Sequence, residues 1–208
     1  MRIVVFDFDG TLVDSNTIKK NMFYKFSSFD KGGTEIMKHM LETVAGNRYT
    51  IWDAYLRERD GTSYDASIVP SIVEEFNLAV NKAVAQASEM PGAIQLLDKL
   101  EKSGIRLIVS SATPLKDLKS ILEQRRWIDR FNLIFGSPST KYETLNFLSN
   151  AYGITANEIA VVGDGKDDRE SAGMFGCKFY PVGEARGIRK KEKIYNLFEL
   201  QNILTDTL

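Results

Sequence analysis

Five short apolar runs rich in β-branched residues recur along the chain: Ile3–Phe6, Arg106–Val109, Leu133–Phe135, Ile159–Val162 and Lys178–Val182. Helix-length amphipathic segments separate the later runs. Ile94, Leu97 and Leu100 fall near helical spacing within 93–103, Leu118, Ile121 and Leu122 do likewise in the next segment, and 143–152 and 168–175 fill the remaining gaps. Buried strands alternating with helices predict an α/β fold, a parallel sheet with right-handed crossovers. In such sheets ligands sit beyond the C-terminal ends of the strands. The polar clusters of interest all fall at the ends of these runs.

One region breaks the alternation. Residues 15–90 contain no convincing strand and read as helices over 18–26, 35–44, 49–59 and 69–88, with Phe23, Phe26, Trp52, Tyr55 and Phe76 at spacings typical of a bundle core. Alternation restarts at Pro91-Gly92. The expected organisation is a core made of 1–14 and 91–208, interrupted after its first strand by a helical insert, 15–90.

Composition narrows the chemistry. A chain of 208 residues buries about 70% of its unfolded surface and needs no disulfide or structural metal. Its 27 basic and 28 acidic residues leave a net charge of −1, with no global pull towards nucleic acid or anionic membranes. Cys177 and His39 are the sole residues of their types, which excludes a Cys/His zinc site and any mechanism using several histidines. The apolar N-terminal run is cut off by Asp7 and Asp9, far short of a signal-peptide core, and no stretch approaches the ~20 apolar residues of a membrane span. A cytoplasmic location is the default expectation.

Four clusters remain. In Val5-Phe6-Asp7-Phe8-Asp9-Gly10-Thr11, two acids follow a strand in a tight loop, and close carboxylates repel unless a cation or a shared proton intervenes. Ser110-Ser111-Ala112-Thr113 follows a second strand, where hydroxyls most often cap the next helix. Lys141 opens a helix, at the end of the helix dipole that disfavours a cation. Gly163-Asp164-Gly165-Lys166-Asp167-Asp168 crowds three acids into one loop, without the alternate ligand spacing of an EF-hand; a partial Mg²⁺ site completed by acids elsewhere fits better.

The order DFDGTLVDS, a strand ending in Ser111, Lys141, and VVGDGKDD resembles the haloacid dehalogenase-like hydrolase superfamily, and within it the phosphoglycolate phosphatase-like branch with a helical cap between the first two motifs. The resemblance implies a Rossmann-like core with an inserted α-helical cap domain. It implies that Asp7 is the nucleophile and Asp9 the general acid and base. Mg²⁺ would be held by Asp7, Asp164 and the backbone carbonyl of Asp9. Ser111 and Lys141 would bind phosphoryl oxygens, assisted by backbone N–H groups of the 8–11 turn, Thr11 included, and of Ala112. Asp168 would orient Lys141 or a metal-bound water, Asp14 would fix the loop entering the cap, and Arg48, in a Gly-containing cap loop, would contact an anionic group of the substrate. Lid closure would exclude water. Tyr142 stands where the family commonly has proline.

The implied function is a Mg²⁺-dependent phosphatase acting on a small phosphorylated metabolite, as a monomer or homodimer, with no nucleic-acid or membrane partner. The second acid, Asp9, separates this pattern from the metal-free dehalogenases. A phosphosugar mutase is the alternative, and a non-catalytic phosphate-binding module a weaker one. Asp167 reads as surface, His39 as surface or boundary, Trp127 as a helix end packed on the core, and the basic run from Arg186 to Lys193 as a solvated tail helix.

Overall fold

The computed structural model describes residues 1–183, 194 and 196–205; the basic run from Arg186 to Lys193 lies outside the described residues. The apolar runs become β1 (Ile3–Phe6), β2 (Arg106–Pro114), β3 (Leu133–Ser137), β4 (Ile159–Gly163) and β5 (Lys178–Pro181). They form one parallel sheet of order β3-β2-β1-β4-β5. The helices are α1 (Asn16–Ser27), α2 (Gly33–Thr43), α3 (Arg48–Asp60), α4 (Val69–Ala85), α5 (Ala93–Lys102), α6 (Leu115–Gln124), α7 (Lys141–Tyr152), α8 (Lys166–Phe175) and α9 (Leu197–Thr205).

The chain divides into two compact units, Met1–Ser15 with Ala85–Leu208, and Asn16–Val84. Residues 85–90 side with the sheet because the Asp14 N–H donates to the Ser88 carbonyl and the Met90 N–H to the Leu12 carbonyl.

In the α/β unit every residue of β1 is buried, so both faces of the sheet are covered, as a parallel sheet requires. Ile3 and Val5 pack with Ile108, Ile159 and Val161 against Leu145 and Leu148 of α7 and Ala172 of α8. Register aligns Phe6 with Val109 on one side and Val162 on the other, so β1, β2 and β4 deliver their next residues to the same edge. The strand order reverses between β1 and β4, which places a crevice at their carboxyl ends.

β2 continues to Pro114 rather than ending at Val109. Ser110 and Ser111 pair with Phe135 and Gly136 of β3, and the register then shifts before Pro114 meets Ser137. Such a bulge accommodates a proline, which has no ladder N–H, at a strand end.

The helical unit is held by rings. Phe23 lies 4.4 Å from Phe76, and Trp52 lies 5.5 Å from Phe76 and 5.3 Å from Tyr55, centroid to centroid. Asn47 caps α3 by accepting from the Tyr49 and Thr50 N–H groups. No helix among the described residues is long and apolar enough to cross a membrane.

Candidate active site

Asp7 is the first residue beyond β1, tied to β4 by its N–H to the Val162 carbonyl. Its carboxylate is buried; Oδ1 accepts from Lys141 Nζ at 2.8 Å and Oδ2 from Thr11 Oγ1 at 3.2 Å. Gly10, at φ 77°, makes the left-handed turn that brings Thr11 back over Asp7.

Lys141 is placed by its helix. Thr140 and Glu143 form a reciprocal cap, Glu143 N–H to Thr140 Oγ1 at 3.2 Å and Thr140 N–H to Glu143 Oε2 at 2.8 Å, which fixes the first turn of α7. The ammonium, 8% exposed, reaches Asp7, the Asp168 carboxylate and, at 3.1 Å, Asp167. Asp167 is surface-exposed, as expected, yet it borders this cluster. Three carboxylates outweigh the unfavourable helix dipole at this position.

Asp168 is completely buried, and its Oδ2 accepts from the Gly165 N–H at 3.0 Å. It lies so close to the end of β4 that a Cβ at Gly163 would stand 2.2 Å from its Cγ. Only glycine fits there.

Asp9 is held at both oxygens. Oδ1 accepts from Ser15 Oγ at 2.6 Å, and Oδ2 accepts from Thr113 Oγ1 at 2.9 Å and Ser111 Oγ at 3.3 Å. The hydroxyls of Ser111 and Thr113, near the end of β2, therefore do not cap α6, whose N-cap is Pro114 with no side-chain bond. They remain in the extended strand, which aims Ser111 and Thr113 at Asp9. Ser15 and Thr113 escape the sequence reading because a lone hydroxyl near a helix start looks like a cap; alternate positions 111 and 113 of one strand were the available signal.

The other expected residues are more exposed than the buried cluster. Ala112 is exposed on β2, and Asp14 is exposed, engaging Ser88 through its backbone. Arg48 belongs to the helical unit, where its guanidinium donates to Asn77 Oδ1 and stands 5.5 Å from the Phe76 ring centroid.

The electrostatics are unbalanced. Burial pushes the Asp7 carboxyl up to about 6; Lys141 opposes this, and Asp9 and Asp164 add to it. Burial disfavours the Lys141 ammonium, but Asp7, Asp168 and Asp167 together hold its pKa above the ordinary lysine value. Burial, then the neighbouring Asp7, drive the Asp168 carboxyl well above its usual range. One ammonium thus faces several carboxylates. Ligand oxygens of Asp7, Asp164 and Asp168 lie within 4.8 Å of one another, an all-oxygen donor set that fits a hard divalent cation.

A family profile for haloacid dehalogenase-like hydrolases matches residues 4–182. Phosphoglycolate phosphatase of Aliivibrio fischeri is 21% identical over 202 residues, covering 88% of this chain and 84% of that one. Phosphoglycolate phosphatase of Yersinia pseudotuberculosis is 25% identical over 183 residues, covering 85% and 78%. A crystal structure from Thermotoga maritima, provisionally named a beta-phosphoglucomutase, superposes with a TM-score of 0.80 at 17% identity over 100% of both chains.

Proposed function

The chain belongs to the haloacid dehalogenase-like hydrolase family, and on that premise we propose that it is a Mg²⁺-dependent phosphatase of a small phosphomonoester working through an aspartyl-phosphate. The observation that carries the reading is the buried Asp7 carboxylate, ion-paired to Lys141 at 2.8 Å inside a cluster of acidic oxygens at the strand ends. Burying unbalanced charge is costly, and such clusters mark chemistry more often than structure.

In this reading an Asp7 oxygen attacks phosphorus, the P–O bond to the leaving alcohol breaks, and Asp9 gives that alcohol its proton. Asp9 then takes a proton from the water that attacks phosphorus. The P–O bond to Asp7 breaks, releasing inorganic phosphate and restoring the Asp7 carboxylate and the protonated Asp9. Lys141 and Ser111 donate to the non-bridging oxygens, with the N–H of Ala112 and the turn at Thr11 assisting, so catalysis is positioning and electrostatics. Asp168, with one oxygen on Lys141 and the other on the Gly165 N–H, orients the lysine. Asp7, Asp164 and the Asp9 carbonyl would hold Mg²⁺, which when bound supplies charge opposing the repulsion between carboxylate and phosphate. Asp14 anchors the segment leading out of the site. Arg48, whose expected partner is an anionic group of the substrate, is held by Asn77 beside Phe76 within the helical unit.

The phosphoglycolate phosphatases named above favour a short anionic phosphomonoester as substrate. The test is phosphate release from a panel of small phosphomonoesters with Mg²⁺, beside EDTA and Asp7→Asn controls. Release that needs metal and disappears in Asp7→Asn supports the reading. Turnover only on adding a sugar bisphosphate would replace it with a mutase.

A further inference from the structure

Asp9 has more hydroxyl donors than its expected role supplies. Ser111 Oγ carries a single proton, and in the proposed mechanism that proton goes to a phosphoryl oxygen. Its present contact with Asp9 is also the longest of the three, 3.3 Å against 2.9 Å from Thr113 and 2.6 Å from Ser15. Once Ser111 turns to substrate, Thr113 still donates to Asp9 Oδ2.

Thr113 is built for that task. It is 6% exposed, and its backbone N–H donates to Ser111 Oγ at 3.1 Å, so one residue fixes both the acid and the lone-pair side of the phosphate-binding hydroxyl. A hydroxyl also suits a group that cycles between states, because it donates to a carboxylate and accepts from a carboxylic acid. The β2 bulge that aims it depends on Gly136, where a Cβ would stand 2.6 Å from the Thr113 carbonyl oxygen and 2.6 Å from Leu115 Cα.

We propose that Thr113 is a positioning residue for Asp9, holding the acid over the leaving-group oxygen while Ser111 serves the phosphoryl group. This rests on the phosphatase reading above. An acid held for the leaving group matters for alcohols that need a proton and hardly for those that leave as anions.

The test compares Thr113→Val, which keeps shape and loses the hydroxyl, with Thr113→Ser, which keeps the hydroxyl. Substrates are phosphoglycolate, an alkyl ester, and p-nitrophenyl phosphate, whose leaving group needs no acid. General acid catalysis contributes roughly 10²–10⁴-fold, so Thr113→Val is expected to lose about 10–100-fold in kcat/KM on the alkyl ester and under about threefold on the aryl ester. Thr113→Ser restores the alkyl rate. Equal losses on both esters, or none on the alkyl ester, overturn the proposal. A wild-type protein that hydrolyses neither ester defeats the phosphatase reading instead. Crystal structures of the wild type and Thr113→Val then decide the role of Thr113, since an Asp9 carboxylate that does not move overturns it independently of turnover.

Discussion

The two units handle charge in opposite ways. In the helical unit, acid and base are paired at the surface: Arg57 with Asp53 at 2.7 Å, and Arg59 with Asp30 at 2.9 Å and Asp60 at 2.6 Å. Its interior is aromatic, built on Phe23, Trp52, Tyr55 and Phe76. In the α/β unit Asp7, Lys141 and Asp168 are buried together, and the charges do not cancel. Solvent-accessible pairs such as Arg57 with Asp53 contribute little and cost little. A buried excess of carboxylates weakens the fold unless something else stabilises it, so its retention at the strand ends points to reaction rather than architecture. The aromatic core shows what stability alone looks like in the same chain.

That contrast breaks most sharply at Lys141. Lys141→Met leaves Asp7 and Asp168 buried without their cation and should cost about 3–5 kcal/mol, read from denaturant unfolding. A loss below about 1 kcal/mol would mean the cluster was never strained by charge. Phe76→Ala should cost a similar 3–5 kcal/mol by a different route, an apolar cavity. The two should differ in salt response. Loss at Phe76 is insensitive to ionic strength, and loss at Lys141 is partly relieved by added Mg²⁺.

The pH response sharpens the comparison further. Asp7 titrates near 6 in the folded protein without metal, against about 4 in an unfolded chain, so the folded state binds its proton more tightly. In EDTA, the Asp7 contribution should reduce stability as pH rises from about 4 to about 6 and change little above. The difference in unfolding free energy between wild type and Asp7→Asn isolates that slope; a flat difference across the window removes the burial argument. The smallest effect belongs to the helical unit. Arg57→Ala should leave the melting temperature unchanged within error, and a clear drop would show that its surface pairs carry stability after all.

Much of the fold was legible. Parallel β-branched runs and helical spacing are local patterns, and they led to the sheet and its helices. The end of β2 was not legible, because Ala112-Thr113-Pro114 has the composition of a turn and only pairing with Ser137 of β3 makes it strand. At the site, Asp7, Asp9 and Asp164 stood out because acids directly after apolar runs need a reason. Lys141 stood out only through its order among the motifs, since nothing local distinguishes a buried lysine at a helix start from a solvated one. Ser15 was passed over and Thr113 read as a helix cap for a physical reason: their importance lies in pairing with Asp9 across a loop and a sheet, which only the folded chain brings about.

The central claim is that Asp7 carries the phosphoryl group. Turnover of a ³²P-labelled phosphomonoester, quenched in acid and mapped by peptide, tests it directly. The account predicts label on the peptide containing Asp7 in the wild type and none in Asp7→Asn. Phosphate released at full rate with no label trapped there, or label trapped on another residue, would contradict it.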